Sequence, residues 1–335
     1  MSKLTIPQGY KMPLTNNELQ RAIELIHEDF QRNLTLRLNL HRVSAPLFVD
    51  GRTGLNDDLN GVERPVTFDI PDVGAEGQVV HSLAKWKRLA LKRYEFPVGM
   101  GLFTDMNAIR RDEVVDNLHS IYVDQWDWEK NIAPKDRTLQ YLKDTVRDIV
   151  GALCDTASVL RNHFPALTFR PDRDVYFITT QELEDRYPHL EPQERETEIC
   201  RKHRTVFLMQ IGKTLKSGAR HDGRAPDYDD WELNGDILMW NDVLGRAFEI
   251  SSMGIRVDQE SLERQLVLAG CEERRELPFH KMLLNNELPL TMGGGIGQSR
   301  LCMLMIGCCH IGEVQVSLWD QETLDTCEAA GVQLL

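Results

Sequence analysis

The chain has 335 residues, with 39 Lys and Arg against 52 Asp and Glu, giving a formal charge of −13 at pH 7. That length supplies a full hydrophobic core, and the acidic balance, with no basic run longer than two, weighs against a broad nucleic-acid surface. The longest apolar run, 301–309, is about half of what a membrane span needs and no stretch suits a signal peptide, so a soluble, cytoplasmic protein with no membrane partner is expected.

In chain order, Thr15-Asn-Asn-Glu18 forms a capping box, and Ala22, Ile23, Leu25, Ile26, Phe30 and Leu34 follow at helical spacing, predicting a long helix over about 16–38. HRVSAPLFVD, 41–50, reads as extended, with Pro46 at an edge or bulge. Strands are predicted near 79–82, 101–110 and 119–129, and TLQYLKDTVRDIVGALCDTASVLRNHF reads as a second long amphipathic helix. Further strands are expected at 175–179, 206–211, 234–241 and 247–257, with short helices near 259–269 and 298–306. Long-range pairing with helices between the strands predicts an α+β fold, a mostly antiparallel sheet flanked by helices. No repeat or linker divides the chain, so 1–335 is expected to be a single domain. Seven cysteines without C-x-x-C spacing fit a reducing compartment, and Cys308-Cys309-His310 reads as buried packing rather than a metal site.

Chemistry concentrates in a few stretches. In YVDQWDWEK, alternation puts Gln125, Asp127 and Glu129 on one strand face, opposite Tyr122, Asp124, Trp126 and Trp128. Alone, three acceptors in a row read as a solvated face; a preceding strand ending in Arg110 would instead bring an arginine beside them. A second hairpin presents Asp236 on one strand and Glu249, Ser251 or Ser252, and Arg256 on the next. Two carboxylates on neighbouring strands repel unless something neutralises them, and Mg²⁺ favours such a pair when phosphate completes its shell. Taken alone, DGRTGLNDDLNG and RHDGRAPDYDDW read as solvated loops, Lys85, Lys87 and Arg88 as a solvated helix start, and His81 as a structural histidine.

TMGGGIGQSRL, 291–301, invites a phosphate-binding reading. It has no Lys-Ser/Thr pair for a P-loop, and neither the spacing nor the position of a dinucleotide fingerprint. What remains is a close-packed glycine turn that delivers Arg300 on the first turn of a helix.

The order of these parts resembles the three motifs of class II aminoacyl-tRNA synthetases. Across nearly the whole chain, HSLAKWKR, YVDQWDWE, RAPDYDDW, LNGDI, EISSMGIRVD and GGGIGQSRL are similar to the ammonia-dependent asparagine synthetase family within that superfamily. The resemblance implies a class II synthetase-like catalytic core, a homodimer, and formation of asparagine from aspartate, ammonia and ATP, with AMP and pyrophosphate released. It implies catalytic roles for Arg110 and Arg300 on the phosphates, and nucleotide contacts from Asp229, Asp236, Glu249 and Ser252. Asp236 and Glu249 would hold Mg²⁺. Lys87 and Arg256 would grip the aspartate α-carboxylate, and Ser82, Asp57, Gln125 and Asp127 would bind its ammonium and orient the reacting arm, with Asp57 the proton acceptor. No N-terminal cysteine and no G-x-C-x-G turn offers a glutamine-hydrolysing nucleophile, so free ammonia is the expected nitrogen source. Two alternatives stay open at this point: an aspartyl- or asparaginyl-tRNA synthetase-like core with another acceptor, and a non-catalytic regulatory paralogue.

Overall fold

The computed structural model describes residues 4–56 and 63–335. Thr15 opens the first helix with the predicted reciprocal bonds to Glu18, and α1 spans Asn16–Leu38. Its i, i+4 stripe of Ala22, Ile26, Phe30 and Leu34 is fully buried. After it come β1 (Leu40–Arg42), β2 (Phe48–Asp50), β3 (Thr67–Ile70), β4 (Ala75–Val79), α2 (Ala84–Arg93), β5 (Gly101–Ile109), β6 (Tyr122–Asn131) and α3 (Leu139–His163). The remainder is β7 (Tyr176–Thr179), α4 (Thr180–Arg186), α5 (Pro192–His203), β8 (Thr205–Met209), β9 (Asp229–Asn241), β10 (Arg246–Arg256), α6 (Gln259–Ala269), α7 (Pro278–Leu284), β11 (Thr291–Gly297), α8 (Gln298–Ile306) and α9 (Gln321–Ala329).

Eight strands form one sheet in the order β1-β5-β6-β11-β10-β9-β8-β7, antiparallel except at its two outer pairs; β2, β4 and β3 form a second, smaller sheet. The large sheet has two unlike faces. Trp126 and Trp128 point to the apolar side, where they are fully buried with Phe30, Ile149, Met253 and Met292 beneath α1 and α3. Phe30 stacks tilted on Trp126 with ring centroids 4.9 Å apart. The period of two therefore sends Gln125, Asp127 and Glu129 to the opposite, polar side.

Several expectations need correction. The stretch 41–50 is not one strand: β1 closes the edge of the large sheet while β2 belongs to the small one, and Pro46 lies in the connection between them. The strand expected at 79–82 is β4, which ends at Val79. The glycine segment is the strand β11, paired with β6 and β10 along its length, rather than a turn. Lys85, Lys87 and Arg88 are not solvated; they sit on α2 at 4 %, 1 % and 3 % exposure. Their charges are met inside the protein, Arg88 by the Val257 and Pro289 carbonyls at 2.7 and 2.9 Å. The short helices α4, α5, α7 and α9 and the strand β3 carry too few periodic positions to stand out in the sequence. All seven cysteines are free thiols, and Cys308, Cys309 and His310 are completely buried, as packing requires. Among the described residues no helix is long and apolar enough to cross a membrane.

One ionic knot ties the segment before β9 to the helices behind it. Asp227 Oδ2 lies 3.2 Å from Lys85 Nζ on α2, 3.0 Å from His280 Nε2 on α7 and 3.2 Å from Arg274 Nη1. Burial would raise the Asp227 carboxyl, but Lys85, His280 and Arg274 outweigh it and hold the group far below the usual carboxylate range. A depressed carboxylate contributes stability that is complete above its unfolded value, about 4, and is lost as pH falls below that value toward the folded one. Asp227→Asn, which leaves buried cations unpaired, should cost about 3 to 5 kcal/mol at neutral pH and should flatten the loss of stability below about pH 4. Urea midpoints between pH 3 and 7 check this; parallel curves for the two proteins would contradict it.

Candidate active site

A cavity of about 400 Å³ opens on the polar side of the large sheet. Its floor is β6, β11 and β10, and its walls come from the start of α2, the loop 110–121 and the segment 222–229. The two ends of this cavity differ in chemistry.

At the inner end, opposite charges are packed out of water. Lys87 Nζ donates to Asp127 Oδ1, and to the Trp128 and Gly294 carbonyls at 3.0 and 3.2 Å. Arg256 forks onto Glu129, with Nη2 2.7 Å from Oε2 and Nε 3.0 Å from Oε1, while its Nη1 reaches Asp229 Oδ1 at 2.5 Å. Thr291 Oγ1 donates to Glu129 Oε1 at 2.7 Å. Burial pushes the Lys87 ammonium down, with Arg256 adding to the effect and Asp127 and Glu129 opposing it. Burial acts to raise both carboxyls of the Arg256 pair. At Glu129 it is overcome by Arg256, Lys87 and Thr291, leaving the group below its ordinary value, whereas Asp229 stays raised. Among the described residues Asp127 Oδ2 has no hydrogen-bond partner, and it is buried beneath the cavity floor.

Strand β11 makes this arrangement possible by carrying glycine at positions 293 and 295, under the ionic floor. A Cβ at Gly293 would strike the Glu129 carboxylate and lie 2.6 Å from Arg256 Nη2; one at Gly295 would strike the Gln125 amide. The glycines are needed for room above an ordinary strand, because the long polar side chains of β6 and β10 meet over it.

At the outer end cations dominate. Arg110 follows β5; its Nη1 is 3.9 Å from Glu113 Oε2 and its Nε has no partner among the described residues. Arg300, on the first turn of α8, lies 3.3 Å from the Glu249 carbonyl and 3.6 Å from Glu249 Oε2. Ser252 lines the same wall. Glu249 and Ser252 are three residues apart and would face opposite ways on a regular strand. A bulge between Glu249 and Ser251 corrects this: Glu249 pairs with Leu238 and Ser252 with Asp236, so Glu249, Ser252 and Asp236 share a face. Burial would raise the Glu249 carboxyl, but Arg300, Arg224, His119 and Arg110 hold it below its ordinary value. Asp236 lies deeper, outside the cavity lining, with Arg224 Nη2 bonded to both of its oxygens. Its carboxyl is pushed up to about 7 by burial and by Glu249 and Asp222, against the pull of Arg224.

The structure thus brings ten predicted residues to one cavity: Arg110, Arg300, Glu249 and Ser252 at its outer end, and Ser82, Lys87, Gln125, Asp127, Asp229 and Arg256 toward its inner end. Asp229, expected near the nucleotide and the substrate, is bonded to Arg256 at the inner end. Asp57 lies outside the described residues. Sequence reading passed over three contributors. Glu129 was on the flagged strand face but not chosen, and alternation alone could have found it. Arg224 sits in a loop with no periodicity to mark it. His119, another cavity residue, is aligned by Asp116, with Nδ1 2.9 Å from Oδ1.

Comparison with known proteins agrees with this architecture. A family model described as aspartate-ammonia ligase matches residues 17–331. The chain is 58 % identical over 336 residues to the aspartate–ammonia ligase of Lactobacillus johnsonii, covering 99 % of each. It is 59 % identical over 334 residues to that of Clostridium tetani, covering 99 % of this chain and 98 % of the relative. Among solved structures, asparaginyl-tRNA synthetase from Pyrococcus horikoshii complexed with asparaginyl-adenylate superposes with a TM-score of 0.66 at 14 % identity, over 91 % of this chain and 70 % of that one. The asparaginyl-tRNA synthetase of Entamoeba histolytica gives 0.62 at 14 % identity, over 92 % and 72 %. At such identity the likeness is one of fold, and the fold is that of the class II synthetase core. The chain is an enzyme that belongs to the aspartate–ammonia ligase family.

Proposed function

We propose that the protein makes asparagine from aspartate, ammonia and ATP through a β-aspartyl-adenylate, releasing AMP and pyrophosphate, as one catalytic unit in the cytoplasm. The observation that carries this reading is the two-ended cavity, with arginines gathered at one end and a compact set of buried, opposite charges at the other. A carboxylate is a poor acyl donor. Attack of its oxygen on the α-phosphorus, with loss of pyrophosphate, turns it into an acyl group with AMP as leaving group.

The inner end selects and orients aspartate. Arg256 meets the α-carboxylate with the Nη hydrogens that Glu129 and Asp229 leave open. Lys87, whose three N–H bonds go to Asp127 and the Trp128 and Gly294 carbonyls, adds its charge beside it and holds Asp127 in place. Asp127 with Gln125 receives the α-ammonium. The β-carboxylate is then aimed along the floor toward the phosphates. Holding the two reactants in line is worth about 7 to 11 kcal/mol of the barrier. Arg110, whose guanidinium is only loosely engaged, stabilises charge on the transferring phosphate, and Arg300 meets the pyrophosphate side. Ammonia then attacks the acyl carbon, and Asp57 is proposed to take the proton released.

Asp236 and Glu249 fit a magnesium ion in donor type: two carboxylates on adjacent strands that share a face. Bound there, the ion would neutralise charge on the phosphates. Dimerisation is supported by the exposed apolar side chains of Leu36, Phe48 and Phe68, the last two in ring contact at 4.9 Å on the small sheet.

Two tests follow. Purified protein given ATP, Mg²⁺ and aspartate should release AMP and pyrophosphate in step with asparagine only when ammonium is supplied, and glutamine should not replace it. Pyrophosphate release that ammonium cannot turn into asparagine, or efficient use of glutamine, would contradict the reading. For the inner end, Arg256→Ala is a poor probe, because leaving Glu129 and Asp229 unpaired would itself cost about 3 to 5 kcal/mol of stability. Arg256→Lys keeps the charge but loses the fork. It should raise the aspartate KM by about ten- to a hundredfold, the loss of one charge-assisted contact, with the ATP KM nearly unchanged. The opposite split would reverse the assignment of the two ends.

A further inference from the structure

Arg224 has two relationships that conflict once the cavity is filled. It lines the cavity, facing the outer end that holds Arg110 and Arg300. It also stands between that cavity and Asp236, engaging both carboxylate oxygens through Nη2 while Nη1 lies 3.2 Å from the Gly223 carbonyl and 3.4 Å from Asp222 Oδ2. Asp236 is 6 % exposed. A divalent cation cannot reach those oxygens while the guanidinium covers them. A cation arriving alone would also bring positive charge beside Arg224, Arg300 and Arg110, with nothing to take Arg224 away. A triphosphate changes this balance, because it offers the guanidinium a better acceptor and brings the cation with it.

We propose that Arg224 holds the cation's place on Asp236 in the nucleotide-free protein and exchanges Asp236 for the phosphates when nucleotide binds, so that the metal is admitted only together with ATP. The proposal rests on the reading of Asp236 and Glu249 as the cation ligands. The exchange needs movement only within 222–225. Beyond that segment the chain is fixed: Asp227 is held by its ionic knot, and Gln265 Nε2 donates to the Pro226 and Asp229 carbonyls, each at 2.9 Å. Arg224 is thus a positioning residue before nucleotide arrives and a phosphate ligand afterwards.

The test uses Mn²⁺ as a paramagnetic substitute for Mg²⁺ and measures its binding by electron paramagnetic resonance and calorimetry, without activity. Wild-type protein should take up Mn²⁺ weakly when it is added alone and tightly when it is added with a non-hydrolysable ATP analogue. Arg224→Gln should bind Mn²⁺ alone about ten- to a hundredfold more tightly than wild type, the worth of one charge-assisted contact removed from competition, and should bind the nucleotide analogue more weakly. Arg224→Lys, which keeps a charge without the fork, should move the same way by less, and it carries the test if the Gln variant does not fold. Equal affinity of wild type and both variants for Mn²⁺ alone would overturn the proposal. Asp236→Asn separates the two layers. Loss of Mn²⁺ binding in the presence of the analogue keeps the metal reading even if the exchange fails, whereas unchanged binding means that Asp236 is not a ligand and both fall.

Discussion

The site depends on one constraint: several charges are buried side by side on the polar face of a sheet, and each must be neutralised where it stands. Glu129, Asp229 and Asp127 offset Arg256 and Lys87 at 0 to 3 % exposure, in a setting where an unpaired charge would cost several kcal/mol. That neutralisation needs space directly above the sheet, and β11 supplies it by presenting hydrogens where other strands present side chains. The same strand hands the chain on to α8, whose first turn carries Arg300. Glycine run and arginine therefore serve one cavity from two directions: the first makes room for the ionic floor, and the second charges the far wall.

Division of labour between the two sheet faces follows from the strand period. Trp126 and Trp128 anchor β6 in the core under α1 and α3, which fixes the height and direction of Gln125, Asp127 and Glu129 on the other side. A site built on three central strands is held more rigidly than one assembled from loops, and orientation is what adenylation chemistry demands most. The segment 222–229 and the loop 110–121 are different in kind. They contribute Arg224, His119 and the wall around Arg110, whose guanidinium is close to Glu113 and whose Nε has no partner among the described residues.

How much of this could be read from the residues depends on the physics of each part. The capped helix α1 and the long helix α3 were legible because caps and a 3.6-residue apolar stripe are local signals. The face of β6 was legible from alternation, although its solvation was not: only Lys87 of α2 and Arg256 of β10, both distant in sequence, make Asp127 and Glu129 interior residues. The glycine segment suggested a turn because glycine usually marks one, and nothing local shows that the neighbours on either side would need its space. Glu249 and Ser252 share a face only through a bulge, which sequence spacing argues against. Arg224 was invisible, since its role is fixed by Asp236 from a different strand.

The central claim is that this floor aims the aspartate β-carboxylate at the α-phosphorus, and isotope transfer tests it most directly. With both β-carboxylate oxygens of aspartate carrying ¹⁸O, turnover with ATP and ammonium should place one ¹⁸O in the phosphate of AMP for each asparagine formed. Unlabelled AMP, or label found in pyrophosphate or inorganic phosphate, would mean that the carboxylate attacks elsewhere, and the geometry proposed for the cavity would be contradicted.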